Sequence, residues 1–117
     1  MQNIRVEYYS TSQGKVPVLE FIDSLDGRTQ TKFFAKLKLL EAFGRKLPMP
    51  HAKYVGDHIF EFRLSGVEGE VRVMYFFYDG DKAVLTNGFL KKTNKLPANE
   101  KETAIQRRSE YFERNKR

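Results

Sequence analysis

The 117-residue sequence contains no cysteine and no tryptophan. Without thiols there is no disulfide framework, no thiolate nucleophile and no cysteine-ligated metal, and a reducing compartment is the natural setting. Imidazoles are almost as scarce: His51 and His58 are the only two. They stand seven positions apart with no patterned carboxylate near them, whereas zinc ligands show tighter spacing; no metal site is expected. No apolar run approaches the roughly 18 residues of a membrane helix, and no secretory apolar core follows the first residues. The expectation is a cytoplasmic protein without membrane contact. Neither G-x-x-x-x-G-K-[ST] nor G-x-G-x-x-G occurs, which argues against nucleoside-triphosphate and dinucleotide chemistry, and no G-x-S-x-G elbow presents a serine. No cofactor is expected.

What is present begins with a foldable core. Hydrophobic residues make up 40% of the chain, with ten Phe and six Tyr, a globular composition sufficient for one domain over 1–117. Net charge is +6, unevenly placed. Residues 1–85 carry twelve Lys/Arg against eleven Asp/Glu, whereas residues 86–117 carry nine against four. A concentrated positive region is the electrostatic footprint of a polyanion partner. A solvated helix face explains the same count, and charge alone leaves both readings open.

Residues 3–9 alternate as a half-buried strand, and Pro17 stands where a helix starts. Val18, Phe21, Ile22 and Leu25 follow at helical spacing, and Gly27 is placed to close that helix. A second helix is expected from about Thr29 to Gly44, with Phe33, Phe34, Leu37, Leu40 and Phe43 as its apolar stripe and Lys32, Lys36 and Lys38 turned away from it. Period-two patterning then predicts strands over 58–64, 70–78 and 83–90, joined by turns at 65–69 and at Asp79-Gly80-Asp81. The apolar run of the last strand predicts an interior position in the sheet. A final helix follows Pro97. The predicted fold is α+β, β-α-α-β-β-β-α, an antiparallel-dominated twisted sheet with an αα-hairpin on one face; all helices on one face is the simplest arrangement.

Chemistry is expected at cations inside the strands. Arg63 and Arg72 flank the 65–69 turn, Glu61 shares the face of Arg63, and Lys91 and Lys92 end the strand predicted to pair with that of Arg72. Long charged side chains rarely occupy sheet interiors. Converging, they would grip a phosphodiester and stabilise an anionic transition state. RNA brings its own nucleophile, the 2′-OH, so no metal is strictly required. Cross-strand ion pairs on a solvated face are the other reading of these residues.

Pro17-Val18-Leu19-Glu20-Phe21-Ile22, Phe43-Gly44 with Leu47, Ile59-Phe60-Glu61-Phe62-Arg63, Val71-Arg72-Val73-Met74-Tyr75-Phe76 and Gly88-Phe89-Leu90-Lys91-Lys92-Thr93, followed by Lys95, Pro97 and Ala104, occur in an order that resembles the RelE/HigB-type toxins of bacterial toxin–antitoxin systems. The likeness is particularly to the phage-derived HigB-like branch of the RelE/ParE superfamily, and it spans roughly residues 17–108. The resemblance implies a RelE-like, microbial-RNase-like fold and a toxin that cleaves mRNA on the ribosome. It also implies as partners the ribosome, mRNA and an adjacently encoded antitoxin, often of helix-turn-helix type. By motif position Arg72 contacts the scissile phosphate, with Lys92 and Arg63 as further catalytic cations. The pattern departs where RelE-type enzymes carry two strand lysines, here Ile59 and Glu61, and a tyrosine after the last strand, here Pro97 and Ala98. Glu61, His51 or His58 are then the candidate proton carriers. Lys91, Lys95, Lys53, His51 and His58 are the candidate RNA contacts, and Tyr75, Tyr111 and Phe112 either stack bases or fill the core. The alternatives are a ParE-like gyrase-poisoning toxin and an inactive antitoxin- or nucleic-acid-binding module of the same fold. The terminal cations Lys101, Arg107, Arg108, Arg114, Lys116 and Arg117 are expected to anchor ribosomal RNA.

Overall fold

Period-two patterning from residue 59 onward builds three long strands in the computed structural model of the chain, which describes residues 3–116. In chain order the elements are β1 (Arg5–Tyr8), α1 (Pro17–Asp23), α2 (Gly27–Phe43), a 3-10 turn (Gly44–Lys46), β2 (Ala52–Gly56), β3 (Ile59–Ser65), β4 (Glu70–Tyr78), β5 (Lys82–Lys91) and α3 (Ala98–Arg114). The five strands form one sheet in the order β1-β5-β4-β3-β2. β1 runs parallel to β5, and every other pairing is antiparallel. Arg117 lies outside the described residues.

The α+β fold is as the sequence implies, and β5 is interior, between β1 and β4. Two expectations give way. The chain has an additional strand, β2: it has five residues, lies at the sheet edge, and its pairing with β3 is broken by a bulge between Tyr54 and Gly56, so no clean alternation marks it. The helices also cover both faces. α1 and α2 pack on the face carrying Phe62, Leu64, Val71, Val73, Tyr75 and Leu85. α3 places Ala104 and Tyr111 against Ile59, Met74, Phe76, Val84 and Phe89 on the other. Apolar residues stand on both faces of β3, β4 and β5, interrupted on the second face by Glu61, Arg63 and Arg72, so each face of the interior strands needs cover.

The helix boundaries follow local chemistry. Pro17 occupies the first turn of α1, but that helix ends through Ser24 in a right-handed conformation, not through Gly27. Gly27 instead begins α2, because the Asp26 carboxylate accepts from the Thr29 N–H at 2.9 Å and from its hydroxyl, an N-cap that sets the start. Gly44 closes α2 with φ +53, its N–H bonded to the Leu40 carbonyl, as its place in the sequence implies. The buried stripe of α2 is narrower than the pattern implies: Phe33, Leu37 and Leu40 are buried, whereas Phe34 and Phe43 are exposed.

Candidate functional site

The far ends of β3 and β4 carry a cluster of charged residues. Arg63 and Arg72 are direct register partners across these strands, and Glu61 opposes Met74 two positions along the same face. Like charges facing each other on a sheet repel. Here the Glu61 carboxylate moderates them: its Oε1 stands 3.5 Å from Arg63 Nε and 3.7 Å from Arg72 Nε, and its Oε2 3.9 Å from Lys91 Nζ. Glu61 is 1% exposed and Arg72 5% exposed, which removes the reading of a solvated surface pair. Three cations therefore gather on one buried carboxylate, leaving an excess of positive charge. These separations are long. Glu61 Oε2, Arg63 Nε and Arg72 Nε are buried without a hydrogen-bond partner among the described residues, so the cluster is held by charge and not by short hydrogen bonds.

Arg72 is held by its Nη1, which donates to the Val71 carbonyl at 2.9 Å and lies 3.5 Å from Glu70 Oε1. Glu70 also accepts from the Ser65 hydroxyl at 2.8 Å. That hydrogen bond, followed by the charge of Arg72, holds its carboxyl below the ordinary 4.5.

Beside this cluster opens a cavity of about 280 Å³, lined by Lys53, Arg63, Glu70, Arg72, Lys91 and Lys92. Lys53 reaches it from β2, where it is the register partner of Glu61. A second cavity, about 380 Å³, shares Arg63, Arg72 and Glu70 with the first and continues around the strand ends to Lys32 and Lys36 of α2. The two form a continuous cationic path over the end of the sheet.

Among the sequence-derived candidates, Arg72, Arg63, Lys91, Lys92 and Lys53 line one cavity, and Glu61 lies beneath it. His51 is adjacent through its backbone: its carbonyl accepts from the Arg63 N–H at 2.9 Å, and its Nδ1 is buried without a partner among the described residues. His58 is not part of this group. It sits in the β2–β3 turn and lines a different cavity, with Arg45, Tyr54, Phe77, Arg108 and Phe112, five residues from Arg63, roughly 17 Å along an extended strand. Lys95 is exposed in the loop after β5 and outside the lining of both cationic cavities. Tyr75 and Tyr111 are buried packing residues. Lys32 and Lys36, which the helical pattern places only as cations off the apolar stripe, both turn toward the path; their i, i+4 spacing on one helix face is the signal the sequence holds for this.

The motif order has a counterpart among known families. The profile described as Phage derived protein Gp49-like matches residues 20–109. The chain belongs to the Gp49-like family. That family is a phage-derived, toxin-like module of the toxin–antitoxin type, related to RelE and HigB, and membership implies an antitoxin partner. The matched span of this Gp49-like chain runs from α1 into α3 and includes the whole cationic cluster. No curated protein matches the sequence significantly. Among the described residues no helix is long and apolar enough to cross a membrane.

Proposed function

We propose that this Gp49-like protein is the toxin of a toxin–antitoxin pair and cleaves mRNA on the ribosome without a metal. One observation carries the reading: Arg72 and Arg63, directly opposed on β4 and β3, share one buried carboxylate with Lys91 at the wall of an open cationic cavity. That is a phosphate grip with unused donors and a net positive field. In the proposed reaction the ribose 2′-oxygen attacks the adjacent phosphorus and the 5′-oxygen leaves, giving a 2′,3′-cyclic phosphate and a free 5′-hydroxyl. The 2′-OH proton passes to a base and the departing oxygen gains one. Arg72, with Arg63 and Lys92, neutralises the charge that develops on the phosphoryl oxygens. Lys53 and Lys91 supply cations that the Ile59 and Glu61 positions of β3 do not. Of the two imidazoles, His51 is the one proposed to carry a proton, because its backbone carbonyl holds it next to Arg63, although it lines neither cationic cavity. Glu61 is too deeply buried to meet the nucleophile and serves as a positioning residue.

Induced expression should arrest growth, with codon-linked cuts in translated mRNA seen by primer extension, and a co-expressed antitoxin should relieve both. Arg72→Ala should reduce cleavage by about 10²-fold or more, the cost of losing a transition-state donor, while a cooperative unfolding transition persists. A folded Arg72→Ala protein with undiminished cutting would overturn the assignment. Arrest without cuts and with gyrase-linked DNA breaks would favour the ParE-like reading. A folded chain with neither effect would favour the inactive binding module, the reading that burial of Ile59 and Glu61 in place of lysines supports.

A further inference from the structure

Helix α2 contributes a second group of cations, on the other side of the strand ends from the Arg72 cavity. Lys32 Nζ donates to the Ser65 carbonyl and Lys36 Nζ to the Arg63 carbonyl, each at 2.7 Å. These bonds fix both ammoniums at the mouth of the cavity that also contains Arg63, Arg72 and Glu70. An ammonium has three donors, so each lysine retains N–H groups beyond the one spent on its carbonyl. The placement is built into the fold: the buried Thr29 hydroxyl accepts from the Val67 N–H at 3.2 Å, tying the start of α2 to the β3–β4 turn. The nearby charges are lopsided. Burial, then Lys32, Arg72 and Arg63, depress the Lys36 ammonium below its ordinary 10.5, and Glu70 only partly opposes them. A cationic site strained in this sense is relieved by an anion.

We infer that Lys32 and Lys36 form a second phosphate subsite, binding the backbone of a single-stranded RNA one or more nucleotides away from the phosphate held at Arg72 and Arg63. The occupant is the neighbouring stretch of the same strand that the proposed cleavage acts on, so the inference rests on that reading. The strand wraps the ends of β3 and β4, passing from the Lys53, Lys91 and Lys92 cavity over Arg63 and Arg72 to α2. Phosphate binding of this kind positions a strand without reading its sequence.

The test uses the full chain and a fluorescent 2′-O-methyl oligoribonucleotide, which cannot be cleaved. Binding is measured by anisotropy over a series of salt concentrations, alongside mRNA cleavage on translating ribosomes. Lys32→Gln/Lys36→Gln should bind roughly tenfold or more weakly at low salt, and its slope of log affinity against log salt should fall by about 0.7 for each phosphate that is no longer neutralised. The control Lys15→Gln/Lys38→Gln removes equal charge from exposed positions away from the path and should leave the slope unchanged. Because Lys36 is half-buried, Lys32→Glu, at an exposed position, repeats the measurement without disturbing packing. A double variant indistinguishable from the control, in a wild type that binds and cleaves, would overturn the subsite alone. A wild type that binds with the expected slope dependence but never cuts mRNA would leave the subsite standing and remove the nuclease reading. If the wild type does not bind the oligonucleotide, the subsite falls, and the nuclease reading falls with it only if translated mRNA is also left uncut.

Discussion

At the scale of single residues, Glu61 carries the most consequence. A carboxylate 1% exposed and encircled by Arg63, Arg72 and Lys91 neutralises part of their charge and sets their directions. Replacing it with Gln keeps the shape and removes the charge. The three cations then repel one another in a poorly solvated place, and stability should fall by about 3 kcal/mol, the lower end for breaking a buried ion pair; chemical denaturation measures this. The functional signature should split. Cleavage should drop about 10²-fold as the guanidiniums lose their alignment, while affinity for uncleavable RNA holds or rises because a negative charge has left the site. A parallel loss of affinity and rate would show that Glu61 supports binding only. Register decides that Arg72 joins Arg63, whereas the shared face of Arg63 and Glu61 is legible from strand alternation. Their burial is not, because alternation assigns a face without saying what covers it.

Among the elements, α1 and β5 approach closely at Gly88. An added Cβ at Gly88 would run into the Phe21 ring, so this strand position is a glycine for reasons of close approach, not turn geometry. Gly88→Ala should cost about 1–3 kcal/mol, the usual range for overpacking, read as a lower urea midpoint with unchanged slope. Phe21→Ala should be destabilising alone, yet in combination with Gly88→Ala it should show non-additivity, because the overlap needs both groups. Most elements are readable from local pattern: Pro17, Gly44 and the Asp79-Gly80 turn, where both residues take positive φ, fall where their chemistry requires. β2 is not, because a five-residue edge strand is specified by its pairing with β3 and little by its own sequence. Lys53 reaches the site with it.

In the molecule as a whole, α3 closes the second sheet face and joins the two ends of the chain. Tyr9 Oη donates to Glu110 at 2.8 Å, Tyr111 Oη donates to Glu7 at 2.7 Å, and Arg114 donates to the Ser10 carbonyl at 2.9 Å. The Glu110 carboxyl lies below its ordinary 4.5, first through the Tyr9 hydrogen bond and then through Arg114. Glu70 is shifted the same way. A carboxylate with a depressed folded value contributes stability above its ordinary value and loses it as the pH falls through the folded one. Stability should therefore decline as the pH drops below about 4.5, and Glu110→Gln should flatten part of that decline, measured as urea midpoints from neutral to acid pH. An unaltered acid profile would show that the closure of the ends adds no proton-linked stability. Several tail cations are also committed within the fold: Arg107 donates to the Thr86 carbonyl, Arg108 lies over the Phe112 ring and Lys101 pairs with Asp57. The concentrated charge of the last residues thus has structural duties that a simple count assigns to RNA.

By itself the sequence determined the α+β class, the helix and strand periods, the absence of thiols and the few strand cations worth considering, because these depend on composition and on spacing of two or 3.6 residues. The order of motifs also carried the family. Tertiary structure decided which cations share a cavity. Register set Arg63 against Arg72, the edge strand brought Lys53, helix α2 swung Lys32 and Lys36 to the strand ends, and the length of β3 carried His58 away. Such convergence depends on pairing between distant segments, which no local period encodes.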